Sequence, residues 1–303
     1  MRLLSASDPV NRVQAIVVTH DDPEALGRCV RAIGEQTHFV ESVIVVDTAG
    51  CRPASQAEFG TVTERVSIVR LSENVGPAGG WAAGVGRFLE SDLEYAWLFD
   101  DDCVAAPDAL EAALAEAKAG GADVIQSTMI DRGTGRIVST QGWCGVLMRR
   151  SVPEGVGVPD SDLVWWTEDT EYLQWRIPRA GWVVKRSAAS LVEVAMRREG
   201  VPKPPWKYYY EARNQVAYRL RTQRPSSGGP VPRYLTSRVR LWRAFRSVVK
   251  LMGRSLWIER TERLPKARMV LMGAVDGLRG RSGLRVALGA ADRARATRKE
   301  DDE

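Results

Sequence analysis

The run Trp97-Leu98-Phe99-Asp100-Asp101-Asp102 sets three carboxylates directly behind three apolar residues. The apolar half reads as a buried strand. Three adjacent like charges at its tip repel one another, and a hard divalent cation, which takes oxygen ligands, relieves that repulsion. The run therefore points to a metal site at the C-terminal end of a strand, where open α/β sheets bind their ligands. A helix cap with surplus surface charge is the plainer alternative, so the reading needs support from other residues.

Two further clusters supply it. In Asn74-Val75-Gly76-Pro77-Ala78-Gly79-Gly80-Trp81 the glycines allow close backbone approach. The helix start that follows offers N–H groups to an anion. The loop is neither GxGxxG nor a P-loop and supports no dinucleotide or kinase reading. The second cluster is Trp165-Trp166-Thr167-Glu168-Asp169-Thr170-Glu171-Tyr172. Its carboxylates open a helix, with Glu168 and Glu171 on one face, where they could equally be partners of the helix dipole. Trp165 and Trp166 offer flat ring faces to a sugar, with core packing as the alternative.

The elements that must position these residues alternate. Strands are expected at 13–19, 40–46, 66–71, 95–99 and 124–127, helices at 22–36 and 107–119, and a turn over 74–80 leading into a helix that runs to 90. That spacing means βαβ units and a mostly parallel sheet. The second part is less regular, with strands at 143–149 and 182–185 and helices at 169–180 and 208–221. Pro225 to Pro230 is a break, and a helical Arg-rich segment follows. The expected organisation is a sheet domain over 1–222, a linker over 223–232 and a basic helical region over 233–303.

Composition narrows the class. The net charge of +5 hides an asymmetry: residues 233–303 hold 18 Lys/Arg against 8 Asp/Glu, and the remainder 25 against 30. A mildly acidic body carrying a basic tail points to an anionic partner for the tail. Cys29, Cys51, Cys103 and Cys144 form no CxxC pair, which argues against a zinc ribbon or disulfide framework and fits a reducing cytoplasm. Met1 to Arg12 lacks the apolar core of a signal peptide, and no stretch reaches the roughly 18 apolar residues of a spanning helix.

Taken in order, Val17-Val18-Thr19-His20, Val45-Val46-Asp47, Asn74-x-Gly-x-Ala-Gly-Gly, Asp100-Asp101-Asp102 and Glu168-Asp169-x-Glu171 resemble the family-2 inverting glycosyltransferases of GT-A fold. The bacterial rhamnosyl- and galactofuranosyltransferase branch is the nearest, over about residues 13 to 220. The resemblance implies an α/β GT-A fold, Rossmann-like, with a basic helical C-terminal region. It places Thr19 and Asp47 at the nucleoside and Asn74 and Gly80 at donor ribose and sugar. Asp100 and Asp102 match the pair that binds Mn²⁺ or Mg²⁺, with Asp102 first as direct ligand and Asp101 facing the donor. The base that takes the acceptor's proton is Asp169 or, second, Glu168. Trp165 and Trp166 would hold the acceptor. The family often places a metal-binding His after the base helix; the stretch Ser190 to Met196 has none, and Glu193 is the oxygen alternative. Tyr208 to Asn214 resembles the aromatic-x-x-Arg-Asn helix of the branch, which would bring Arg213 towards the diphosphate; a structural arginine capping the core is the alternative.

The reaction implied is inverting transfer from a UDP- or dTDP-sugar, galactofuranose or rhamnose, to a cell-envelope or lipid-linked glycan. A protein acceptor and a degenerate, non-catalytic sugar-binding subunit are the alternatives. A nucleotidyltransferase would want a Gly-rich loop after the first strand, where Thr19-His20-Asp21-Asp22 stands. Between Arg238 and Arg254, Leu241, Trp242, Phe245, Val248, Val249 and Met252 share one face and Arg243, Arg246, Lys250 and Arg254 another. A helix of that kind over 238–258 fits a membrane surface at the inner face of the plasma membrane, or a helix packed on the domain with a solvated Arg face. Nucleic acid is not expected as a partner.

Overall fold

The protein is seen in a computed structural model that describes residues 11–139, 142–195, 202–221 and 237–289. The expected linker, Met196 and all but the last residues of the Met1–Arg12 segment lie outside the described residues. The chain divides into two units, Met1–Ser161 with Asp169–Arg197, and Asp162–Glu168 with Arg198–Glu303.

In the first unit, β1 (Val13–Thr19) is buried at every position. It lies between β2 (Ser42–Asp47) and β4 (Tyr95–Asp100), parallel to both, and β3 (Val66–Arg70) pairs with β2. Alternate residues feed opposite faces. Val13, Ala15 and Val17 join one core with Trp97 and Phe99, while Ile16 and Val18 join the other with Leu98 and Trp81. Both faces are covered, which is why these strands are continuously apolar. Helices α1 (Pro23–Gly34), α2 (Gly76–Leu89) and α3 (Ala109–Lys118) connect them. At the start of α1 the Asp22 carboxylate accepts from Ala25 N at 2.9 Å.

The full order is β3-β2-β1-β4-β7-β6-β8-β5, with β5 (Cys103–Ala105), β6 (Val124–Asp131), β7 (Val146–Arg149) and β8 (Val184–Val194). β7 runs antiparallel to β4 and β6, and β5 antiparallel to β8. From β1 the chain passes to β2 on one side and reaches β4 on the other. This is a topological switch point, where such sheets bind ligands. β8 runs well beyond the expected 182–185. Its exposed Lys185, Arg186 and Glu193 break the apolar run by which a strand is read. Helices α4 (Ser151–Val156) and α5 (Ile177–Arg179) complete the unit, and the expected helix over 169–180 is largely a π-helical stretch, Thr170–Arg176.

The cysteine spacing argues against a disulfide framework, and one pair departs from that reading. Cys103 and Cys144 are joined by a disulfide, their Cα atoms 6.0 Å apart, and Cys29 and Cys51 are free thiols. Their separation of 41 positions hid the pair, because the β4-β7 pairing is what brings their flanks together.

In the second unit, α6 (Pro205–Arg221), α7 (Ser237–Gly253) and α8 (Arg263–Leu278) pack on one another. The expected border at 222 therefore differs from the observed division, in which α6 groups with the helices that follow it. Gly273 and Gly277 set the α6–α8 approach: a Cβ on Gly273 would overlap the Tyr209 carbonyl, and one on Gly277 would lie 2.5 Å from Arg213 O. Tyr208, Tyr209 and Tyr210 are buried, their hydroxyls donating to Glu259 (2.6 Å), Asp276 (2.7 Å) and Val286 O (2.6 Å). On α7 the buried positions are Ala244, Ser247 and Leu251, while Leu241, Trp242, Phe245 and Val249 are exposed.

Candidate active site

Strand register brings the first unit's chemistry together. Thr19 ends β1 opposite Asp47, and Asp100 ends β4 opposite Val18. Thr19 Oγ1 donates to Asp101 Oδ2 at 2.6 Å, and His20 N reaches the same oxygen at 3.3 Å. His20 Nδ1 lies 3.1 Å from Thr48 Oγ1 and its Nε2 3.4 Å from Asn74 Nδ2. Asn74 Oδ1 accepts from Gly76 N at 2.9 Å, fixing the loop where Gly76 takes a left-handed φ of 74°. Gly80 is a packing requirement: a Cβ there would lie 2.6 Å from Val18 Cγ1 and 3.0 Å from Thr48 Cγ2. The start of α2 can sit on the tip of β1 only without one.

Asp47 is nearly inaccessible and internally satisfied. It accepts from Arg70 Nη1 at 2.6 Å, Gly50 N at 3.2 Å and Ala54 N at 3.1 Å. It shapes the loop at the tip of β2.

In the Asp triplet burial outweighs the hydrogen bonds that Asp101 and Asp102 accept. Burial, then Asp102, Asp101 and Asp169, push Asp100 well above the usual carboxylate range. Burial raises Asp101 to about 7 against the hydrogen bond from Thr19. Burial also raises Asp102, partly offset by a backbone hydrogen bond and by Arg132. Asp169 is raised by burial against the N–H of Thr170, which its Oδ1 accepts at 2.6 Å. Asp100 and Asp169 thus share one electrostatic neighbourhood. Raised carboxyl groups gathered at strand ends mark a site in which a cation or a proton is wanted.

The donor set fits a hard divalent ion. Asp102, Cys103 and Cys144 place a ligand atom each within 4.8 Å of one another. The two sulfurs are tied to each other, which leaves carboxylate oxygens. Cys144 Sγ lies 3.9 Å from Asp100 Oδ2 and Cys103 Sγ 3.7 Å from Asp102 Oδ1, so the disulfide backs both carboxylates. Glu193 lies along β8 beside Val104, 3.6 Å from Arg132 Nε. Arg132 also donates to Asp102 O at 3.3 Å. The arginine, which sequence reasoning did not single out, engages the Glu193 carboxylate.

Trp165, Trp166, Glu168 and Arg213 belong to the second unit. Trp165 stacks on exposed Trp166 at 5.1 Å, and Trp206 meets Trp165 edge-on at 5.6 Å. Lys203 Nζ lies 5.0 and 5.2 Å from the two stacked rings. Val164, Trp166 and Thr167 have φ of 62°, 69° and 80°. For β-branched residues this is a true outlier, and such strain clusters at functional sites. Asn214 Nδ2 holds the strained loop by donating to Leu163 O, Trp165 O and Trp166 O at 2.8, 2.9 and 2.7 Å. Arg213, expected near the diphosphate, instead donates to Gly283 O (2.5 Å), Asp162 O (2.8 Å), Leu163 O (2.9 Å) and Asn214 Oδ1 (2.8 Å). It is buried and anchors this loop from within. Glu168, at the loop's end, is buried as well.

Residues 14–167 match the family described as "Glycosyl transferase family 2". The galactofuranosyltransferase GlfT1 of Mycobacterium tuberculosis, in two strains, is 34% identical over 92 residues, which is 30% of this chain and 30% of that protein. The matched stretch thus spans under a third of those relatives' length. Among solved structures, S. aureus TarS 1-349 has a TM-score of 0.57 at 13% identity, covering 88% of this chain and 80% of its own. The mannosyltransferase PcManGT from Pyrobaculum calidifontis, solved with GDP-Man and Mn2+, has a TM-score of 0.55 at 15% identity, with 92% and 90% covered. These two likenesses are of fold.

Proposed function

The chain belongs to glycosyl transferase family 2, and from that premise we propose an inverting, metal-dependent hexosyltransferase. It moves galactofuranose or rhamnose from a UDP- or dTDP-sugar to a hydroxyl of a cell-envelope or lipid-linked glycan. The 34% identity to a galactofuranosyltransferase favours galactofuranose. One observation carries the reading: Asp100, Asp101, Asp102 and Asp169 are all raised by burial in one neighbourhood at the switch point of the sheet.

Asp102 and Asp100 would hold Mn²⁺ or Mg²⁺, which when bound neutralises charge on the departing nucleoside diphosphate. Asp101, tied to Thr19 and His20, fixes the floor on which the donor lies. The Asn74 to Gly80 loop presents backbone to it. Asp169 takes the acceptor hydroxyl's proton at its carboxylate as the bond to the anomeric carbon forms and that to the diphosphate oxygen breaks. A base raised towards working pH is the better proton acceptor. The Trp165–Trp166 stack offers a ring face to the acceptor. The helical unit, with its exposed apolar side chains, lies at the inner face of the membrane.

The test is a screen of UDP-galactofuranose, dTDP-rhamnose, UDP-glucose and GDP-mannose with Mn²⁺, read by thermal shift and by nucleotide release. A donor that binds the folded state raises Tm by mass action. No shift and no release with any donor would defeat the reading.

A further inference from the structure

The cleft between α6 and α7 has a volume of about 610 Å³, and Arg219, Arg243, Arg246, Lys250 and Arg254 line it beside Trp242. The one carboxylate in its lining, Glu211, is already bonded to Lys203 and accepts from Gln215. Arg254 lies 3.9 Å from Glu259, and Arg246 lies over the Trp242 ring at 5.7 Å. Among the described residues, Arg219, Arg243, Arg246 and Lys250 have no carboxylate partner. Arg219 Nε is in addition buried without a hydrogen-bond partner.

Such a cluster is unfavourable by itself. Arg243, Arg246, Lys250 and Arg254 follow one another at spacings of three and four, which aligns like charges on one helix face. Arg219 faces them from α6. An anion entering the cleft would relieve all of them at once. The forked donors of arginine suit phosphate oxygens.

The neighbouring face of α7 says what carries the phosphate. Leu241, Trp242, Phe245 and Val249, also at helical spacing, are 50 to 65% exposed. The buried side of the same helix is Ala244, Ser247 and Leu251. The helix therefore has three faces: one packed, one cationic, and one apolar and half or more exposed. A cationic face beside an exposed Trp-bearing apolar ridge is the build of a helix that lies in a membrane interface. A soluble polyanion would leave the ridge in water.

We propose that the α6–α7 cleft is a binding site for the phosphate headgroup of an anionic membrane lipid, with the Leu241–Val249 ridge entering the acyl boundary beside it. The proposal rests on the membrane-facing reading of the helical unit and not on the glycosyl-transfer reading.

The test is sedimentation of the full chain with phosphatidylcholine vesicles and with vesicles that also contain phosphatidylglycerol. Binding is expected to be roughly tenfold or more tighter on the anionic vesicles and to weaken with salt. Arg243→Glu/Arg246→Glu/Lys250→Glu should abolish that preference. Arg28→Glu/Arg87→Glu/Arg136→Glu, an equal charge change on exposed residues of the other unit, should keep it. Trp242→Ala/Phe245→Ala should weaken binding to both vesicle types. Unchanged melting and donor-release activity in all three variants separates this test from the fate of the transferase reading. No binding to either vesicle overturns the membrane reading and the proposal with it. Equal losses in the two charge-reversal variants overturn the cleft while leaving the membrane. Full competition by inorganic phosphate, with the ridge variant unaffected, overturns the lipid in favour of a soluble anion.

Discussion

Carboxylates in the two units meet opposite fates. Glu259 would be raised by its burial, but hydrogen bonds from Lys266 and Tyr208 outweigh this and hold it below its usual range. Asp276 is lowered by Tyr209 and Arg281. Each fastens helices together. At the tip of β4 carboxylates are gathered, buried and pushed upward, and Arg132 lowers one of them, Asp102. A fold that pairs its acids so thoroughly in one region does not lack the means to pair them in another. The unrelieved charge at Asp100–Asp102 is a standing cost, and it is understandable where a ligand of opposite charge belongs.

The largest expected effect breaks the contrast at its source. Asp102→Asn should lower nucleotide release by about 10³-fold, the scale on which preorganised charge stabilisation acts. It should also remove any Mn²⁺-dependent rise in Tm. A variant that keeps both would show that Asp102 is a surface acid. Next, Asp169→Asn should reduce transfer by about 10²–10⁴-fold while the donor-induced thermal shift persists. Transfer surviving in Asp169→Asn but lost in Glu168→Gln would move the base by one residue.

The helical unit offers the reverse test, in which stability should fall with no electrostatic change. Gly273→Val sets a branched side chain against the Tyr209 carbonyl, an overpacking expected to cost about 2–3 kcal/mol in urea unfolding. Asn214→Leu removes the amide NH2 that the carbonyls of Leu163, Trp165 and Trp166 share. It is expected to cost about 1–3 kcal/mol, with a larger fall in kcat than in donor affinity if the loop positions Glu168 and Asp169.

How far these regions can be read from sequence follows from the same contrast. The acidic run, the glycine loop and β1 to β4 are legible because apolar periodicity and chemistry coincide within a few residues. The Glu168–Asp169 pair is visible too, but not the left-handed backbone that delivers it, since Val164, Trp166 and Thr167 carry no turn signal. The motif at Arg213-Asn214 is legible as a motif but leaves two targets open, and its donors turn inward to carbonyls about 50 and 70 residues away along the chain. The disulfide and Arg132 are likewise products of strand pairing. On α7 the apolar and basic faces can be read, but not which of them is packed, because Ala244, Ser247 and Leu251 supply the contact while larger apolar residues stay outside.

The smallest effect sharpens the comparison through pH. Asp101 sits near 7 in the folded protein, held there chiefly by burial, against an ordinary aspartate value of about 4. Between those values the folded state binds more proton than the unfolded chain, so stability falls as pH rises. The contribution is present in full below about 4 and is lost by the time pH has passed through about 7. The loss should be on the order of 1–2 kcal/mol after solvent screening. Metal-free protein should therefore melt lower at pH 8 than at pH 5.5, and Asp101→Asn should flatten that slope. Glu259 and Asp276 are lowered, so their contribution is already present above the ordinary carboxylate range and is lost only on acidification. They cannot produce a decline towards pH 8. If the slope survives in Asp101→Asn, its source lies among the other raised carboxylates of the first unit, and Asp100→Asn is the variant that should remove it.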